Sequence, residues 1–399
     1  MRDWRLYLIK PNINLLAVIV AVPVIGMTII APALTIIKND LNISFENTQL
    51  ILTLYFTFLA LGQILSGPFS DKYGRKPILL LGASIYSISA FFASLSSNIE
   101  VLLILRCIQG FGAAACLSVG RTILSDCYEI KEAAKEMSKM TAIMAVIPIS
   151  CFIFGGFLAE FLGWRTNLIA LGIISLILII AMSFFLNETL TKKAQSISFK
   201  NMFIVYKGLI NTLSFNFFTI TTAMQTSMFF AMNGFMPYEF ERKGVTMSEF
   251  GIWFSFTSIG YIFGNIINSK LSPKIGLERM CLLGTICSFC TVLIFFINNN
   301  LFQNGPLVLS LICMLFGCSN GFAVANSMTG AINSSVSNKG AASGLMGAFQ
   351  VGSGGLAGFL IIYFGGAQNF NICLYALFIM SGVSIISSYL IIRIKRMSI

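Results

Sequence analysis

The chain alternates between long apolar runs and short polar breaks, and each run is about 20 residues, the length a helix needs to cross a bilayer. Taken in order, the runs predict spans at roughly 13–37, 49–67, 78–96, 100–123 and 139–160, with a sixth between Trp164 and Leu186. The longest polar interruption follows, from Glu188 to Asn211. Six further spans are expected at roughly 212–236, 248–269, 280–298, 305–328, 340–364 and 370–392. Loops this short leave little chain for a soluble domain, so function is expected to lie inside the membrane.

The polar breaks set the orientation. Gly67-Pro68-Phe69-Ser70-Asp71-Lys72-Tyr73-Gly74-Arg75-Lys76-Pro77 separates the second and third runs and reads as a tight hairpin, with Gly67, Pro68 and Gly74 supplying the break. Lys72, Arg75 and Lys76 place positive charge on one membrane face, which is therefore expected to be cytoplasmic. Of 26 Lys and Arg, Lys38, Arg165, Arg242 and Lys243 fall on the other face; with Arg106 and Arg121 set apart, about 20 share the first. Both termini are then cytoplasmic. The first apolar run is too long for a signal peptide and lacks a small-residue cleavage site, so it is expected to remain as a helix.

The second half repeats the first. A shift of 202 residues lays Gly62, Ser70, Lys72, Gly74 and Gly82 over Gly264, Ser272, Lys274, Gly276 and Gly284, and a shift of 211 lays Gln109-Gly110-Phe111 over Asn320-Gly321-Phe322. The expected division is 1–190, a linker at 191–211, and 212–399.

Composition narrows the classes. A chain of 399 residues that is 56% hydrophobic and 10% charged, with 37 Phe, has more apolar surface than one soluble globule can bury. Its net charge of +11 comes from residues at helix ends, which fits membrane topology and argues against nucleic acid as a partner. The ten cysteines lie mostly within apolar runs, as small core residues do, and there is no His. No nucleophile with a neighbouring base, phosphate-cradling loop or metal cluster is evident, so neither an enzyme nor an ATP-driven pump is expected, and no cofactor or metal.

Arg106 is the one cation placed well inside an apolar run. An ionised side chain at that depth is costly unless it meets water or a partner, which makes it a functional candidate. At helical spacing it shares a face with Gln109, Gly110 and Ala113. Either that face looks into a cavity, or the guanidinium bonds the carbonyls of a neighbouring broken helix.

The hairpin resembles the loop between the second and third helices of the major facilitator superfamily, G-x-x-x-D-[RK]-x-G-R-[RK], with Gly67, Asp71, Lys72, Gly74, Arg75 and Lys76 in its places. Further stretches resemble the Bcr/CflA drug-resistance branch. Leu105 to Ala115 is similar to its fourth-helix R-x-x-Q-G-x-G-A-A. Pro32-Ala33-Leu34 is similar to its first-helix D-x-x-x-P-A-L-P, with Thr28 where the branch has an acid. Gly155-Gly156 follows its P-x-x-G-G with Phe152 in place of the Pro. Gly163-Trp164-Arg165, Glu188-Thr189-Leu190 and Gly344 to Gln350 also follow the branch's patterns.

The resemblance implies an all-α membrane protein of twelve helices in two pseudo-symmetric six-helix halves, with a substrate site at mid-membrane between them. It implies substrate contacts from the first, fourth, seventh and eleventh helices, at Thr28, Arg106, Gln109, Thr222, Gln225, Met228, Phe229, Asn233 and Gln350. It implies a gating cluster of Gly67, Asp71, Lys72, Gly74, Arg75, Arg121 and Asp126, and close helix packing at Gly110, Gly112, Gly155 and Gly156. The function implied is export of drugs or other small organic molecules across a bacterial inner membrane by alternating access, coupled to protons, by a monomer in the lipid bilayer. The alternative is a carrier of an anionic or zwitterionic metabolite, with Arg106 as counter-charge. Thr28 cannot titrate, so the coupling residue of the branch is missing from its usual place.

Overall fold

The computed structural model describes residues 11–128, 130–190, 199–302, 305–334 and 339–397, and these are helical with no strand among them. Among the described residues eleven helices are long and apolar enough to cross a membrane, or twelve when Leu213–Arg242 is counted together with the helix bent 85° from it. The first half contains α1 (Ile13–Thr28), α2 (Leu34–Asp40), α3 (Phe45–Tyr73), α4 (Arg75–Ser94), α5 (Ile99–Cys127), α6 (Ile130–Leu162) and α7 (Arg165–Phe185). The second contains α9 (Leu213–Arg242), α10 (Met247–Ile275), α11 (Leu277–Ile297), α12 (Pro306–Asn333), α13 (Lys339–Tyr363) and α14 (Phe370–Met397). Between them lies α8 (Phe199–Ile210), which turns the expected linker partly into helix; residues 191–198 of that linker, like Met1 to Lys10, lie outside the described residues.

The first span is broken. Pro32 has no amide to bond the Thr28 carbonyl and its ring crowds that carbonyl, so α1 stops at Thr28 and a single 3-10 turn, Ala31–Ala33, leads into α2. The last carbonyls of α1 are thereby left without helical amides.

The hairpin is tighter than the sequence suggests. Helix α3 continues through Gly67 and Pro68 to Tyr73 and α4 begins at Arg75, so Gly74 alone reverses the chain, at φ 112°. One residue that tolerates positive φ suffices, and longer helices leave fewer backbone groups unpaired near lipid. The polar break expected between the runs at 100–123 and 139–160 is likewise helical from Ile130 onward, where Ala, Lys, Glu and Met favour helix. The repeat carries over to the backbone: Gly276, 202 residues after Gly74, makes the same turn between α10 and α11 at φ 93°.

The halves meet along two seams, α3 against α13 and α6 against α10. Lipid-facing positions such as Phe92, Ile104, Ile177 and Phe184 are exposed large apolar residues, as a bilayer requires. The ten cysteines are all free thiols, Cys287 and Cys290 at C-x-x-C spacing on α11 included. The hairpin, the α5–α6 junction and α8 mark one end of the bundle, called here the basic end; the opposite end is the far end.

Candidate functional site

At the centre of the first half, Arg106 is fully buried. Its Nε donates to the Ile51 carbonyl of α3 at 3.1 Å, Nη2 to the Gly26 carbonyl of α1 at 3.2 Å, and Nη1 to Gln109 Oε1 at 2.6 Å. The Tyr55 ring covers the guanidinium, 4.1 Å from ring centroid to Cζ. Gly26 lies in the last turn of α1, so the cation caps a carbonyl that the Pro32 break has freed, at the negative end of the helix dipole. Tyr55 donates to the Pro23 carbonyl at 3.0 Å. Of the two alternatives open from the sequence, the described geometry is that of a guanidinium bonding a broken helix. Thr28 bonds the Val24 carbonyl within its own turn, 2.8 Å away.

The centre of the second half is neutral. Gln225 Nε2 donates to Ser384 at 2.9 Å, Ser288 donates to Gln225 Oε1 at 2.8 Å, and Ser288 pairs with Ser319 at 2.8 Å. Thr222 bonds Ser327 at 2.8 Å, and Asn320 Nδ2 donates to the Gln225 carbonyl at 3.1 Å. These residues come from α9, α11, α12 and α14, and Thr222 and Gln225 face into their own half, away from the seam.

The seam between halves takes the rest. Gln350 Nε2 on α13 donates to Thr226 on α9 at 3.0 Å, and Phe230, beside Phe229, stacks on Phe56 of α3 at 4.7 Å. Met228 is fully buried, and Asn233 donates to the Phe229 carbonyl at 2.7 Å. Two residues that the sequence did not single out run along this seam: Gln49, packed beside Gly234 and Gly358, and Gln63, beside Gly347. Gln49 Oε1, Gln63 Nε2, Gln109 Nε2 and Asn233 Oδ1 are buried polar atoms with no hydrogen-bond partner. Each such group is costly; Gln49, Gln63 and Asn233 give the seam an unmet capacity for neutral polar contacts, and Gln109 Nε2 gives one to the centre of the first half.

The far end is sealed across the halves. Glu160 of α6 accepts from the Ser248 amide of α10 at 2.7 Å, Thr35 of α2 donates to the Met247 sulfur at 3.0 Å, and Phe45 of α3 meets Tyr238 of α9 edge-on at 5.0 Å. Gly155 lies against the Ile29 carbonyl and Gly156 against Met247, so the backbones approach where larger residues would not fit. Gly110 packs on Tyr55 and Leu59 of α3, and Gly112 on Gly82 and Tyr86 of α4.

At the basic end, buried Arg75 pairs with Asp71 at 2.5 Å and Asp126 at 2.9 Å and donates to Ser70 at 2.7 Å. Burial pushes the Asp126 carboxyl above the ordinary carboxylate range, against the opposing pull of Arg75. Arg121 faces Tyr261 of α10, Lys72 rests over the Tyr73 ring, and Gly67 has open space beside it. The sequence reading missed Glu188. Its carboxylate accepts from the amides of Arg75 (2.9 Å), Lys76 (3.2 Å), Thr189 (2.9 Å) and Leu190 (2.9 Å), capping the start of α4 from the end of α7. A side chain at position 74 would stand 2.5 Å from this carboxylate, a second reason for glycine there. The signal was present in Glu188-Thr189-Leu190, but its partners are backbone amides, which leave no trace in sequence.

Comparison with known proteins agrees with this architecture. The chain is 26% identical over 359 residues to a bicyclomycin resistance protein homolog of Haemophilus influenzae, covering 87% of each. It is 28% identical over 287 residues to a chloramphenicol resistance protein of Pseudomonas aeruginosa, covering 71% of this chain and 67% of that one. Among solved structures, the nucleoside transporter NupG superposes with a TM-score of 0.73 at 14% identity, covering 96% of this chain and 99% of that one, a likeness of fold. The family model for the Major Facilitator Superfamily matches residues 16–359. With that match across the two halves, the chain belongs to the Major Facilitator Superfamily and is a multi-pass membrane transporter, not an enzyme.

Proposed function

We propose that this transporter exports small, uncharged polar organic molecules of the antibiotic kind in exchange for protons, by alternating access. The supporting observation is the placement of charge. Every described carboxylate sits near a helix end or in a connection, while the interior polar groups are hydroxyls, carboxamides and the caged guanidinium of Arg106. A lipophilic monocation in a low-dielectric cavity needs a carboxylate; a pair at about 4 Å gains roughly 4 kcal/mol at an effective dielectric near 20. A neutral solute needs only hydrogen bonds, and Gln49, Gln63, Gln109 and Asn233 carry unsatisfied polar atoms for them. The names of the relatives point the same way, because chloramphenicol carries no ionised group at neutral pH.

For a solute to leave, the halves must part at the far end, which breaks the Glu160–Ser248, Thr35–Met247 and Phe45–Tyr238 contacts. The basic end closes in the same movement. With no His in the chain and no described carboxylate in mid-membrane, we assign proton exchange to a carboxylate at an end. Asp126 is the one we choose, because its charged form is already disfavoured by burial and its protonation would release Arg75. The test is chloramphenicol accumulation in cells expressing the chain, its Asp126→Asn variant, or neither. Accumulation should fall several-fold with the wild type alone. Equal accumulation in all three, with the protein inserted and folded, would refute the export reading.

A further inference from the structure

Helix α8 does not continue into the membrane. It meets α9 at 85° through Asn211 and Thr212, so when α9 spans the bilayer α8 lies along its surface. The corner is fixed by local bonds: Asn216 Nδ2 donates to the Ile210 carbonyl at 2.5 Å, and Thr212 donates to the Gly208 carbonyl at 3.1 Å. One face of α8 is pinned to the second half, where Leu209 is buried with Phe215, Ala342 and Met346, and Val205 and Tyr206 pack alongside. The other face is open. Phe203 is 68% exposed and Ile204 56%, with Lys207 exposed one turn on.

Large apolar residues in that position are not left to water. The open face joins the lipid-facing surface of α9, where Leu213 is 61% exposed. Its charge is one-sided: from Thr189 to Tyr238 the sequence has Lys192, Lys193, Lys200 and Lys207 and no Asp or Glu. An amphipathic helix with aromatic and aliphatic residues beside lysines, parallel to the membrane, is built to sink its apolar side among acyl chains while the lysines reach the headgroups. Lysines near an anionic surface gain further from its potential.

We propose that α8 is an interfacial helix that binds anionic phospholipid at the basic end of the bundle, with Phe203 and Ile204 among the acyl chains and Lys207 at the headgroups. It thereby holds the connection between the two halves on the membrane surface. This goes beyond the transport reading and does not depend on the substrate.

The test uses the full-length protein in vesicles. Phe203→Trp is added and its extra fluorescence over the wild type is quenched with brominated phosphatidylglycerol or brominated phosphatidylcholine at equal low fraction. The expected result is quenching by both when they form the bulk lipid, and a preference for the anionic lipid at trace fraction. Lys207→Gln should lower the apparent affinity for phosphatidylglycerol about fivefold, while Lys207→Arg preserves it. Salt should weaken the preference. Absence of quenching, meaning that the face is in water or under protein, would overturn the proposal. So would equal quenching by the two trace lipids, which would mean apolar seating without headgroup selection. Both readouts are independent of transport, so a failed drug assay leaves them intact.

Discussion

In the first half a guanidinium at the centre, Arg106, bonds carbonyls of α1 and α3; in the second half Gly317 stands at the matching position, and Asn320 bonds the Gln225 carbonyl of α9 instead. The basic ends differ in the same sense. Ser70 serves an Arg75–Asp71–Asp126 cluster, whereas its repeat partner Ser272 donates to Asn326 at 2.8 Å, which donates to Asn268 at 2.7 Å. At the centre and at the basic end, a shared backbone plan is thus held by charge in one half and by neutral amides and hydroxyls in the other, while the charges of the second half gather at its far end, where Glu239 pairs with Arg242 and Lys243. The cause is local. Pro32 breaks the first span and leaves carbonyls that one amide donor could not satisfy, while α9 runs as a single helix from Leu213 to Arg242. A guanidinium brings five donors in a fixed fork.

The most disruptive way to break the contrast is to remove the fork. Arg106→Met leaves the Gly26 carbonyl and Gln109 Oε1 without the guanidinium and strips a second bond from the Ile51 carbonyl, and should cost about 3–5 kcal/mol, seen as a large fall in melting temperature or loss of folded protein in detergent. Arg106→Lys should recover part of it by keeping the charge. Wild-type stability of Arg106→Met would show that the cage does not hold the fold.

Next comes the charged cluster. Arg75→Met strips Asp126 of its main counter-charge, at a cost of about 3 kcal/mol at neutral pH. Its pH dependence has a definite sign. A carboxyl with a raised folded pKa binds its proton more tightly folded than unfolded, so its penalty is absent below the unfolded pKa near about 4 and grows as pH rises toward the folded value. Removing Arg75 raises that value further and widens the window. Thermal melts of the variant should therefore become more stable on acidification from neutral pH, by more than the wild type does; a parallel pair of profiles would count against the coupling.

How far the sequence reached can be judged on these same residues. Span lengths, the Gly74 reversal and the repeat were legible because they rest on hydropathy and on glycine, both local properties. Thr222 and Gln225 were recognisable as buried polar residues, but not as facing their own half, because the phase of a helix that is apolar nearly all round is set by its neighbours. Gln109 and Tyr55 apart, the partners of Arg106 and Glu188 are backbone carbonyls and amides, which residue types do not reveal. Helix α8 was hidden for another reason: its apolar residues and lysines look like any polar break until the 85° corner is known.

Two smaller changes sharpen the comparison from the second half. Gly317 packs on the Thr257 carbonyl of α10 with no room for a side chain, so Gly317→Ala should cost about 1–3 kcal/mol, measured as a shift in the thermal melt. Gln225→Leu removes the bonds to Ser288 and Ser384, yet hydroxyls find other partners in a membrane and such bonds average about 0.6 kcal/mol, so the melt should move little. A loss as large as that of Arg106→Met would erase the distinction between the charged and neutral centres.

The central claim is that neither centre offers a countercharge to a substrate, so that uncharged molecules are the ones moved. Transport by purified protein in vesicles, with chloramphenicol, ethidium and an anionic antibiotic run side by side under one proton gradient, tests it most directly. The account predicts movement of chloramphenicol well above both charged compounds; ethidium transport at an equal or greater rate would contradict it.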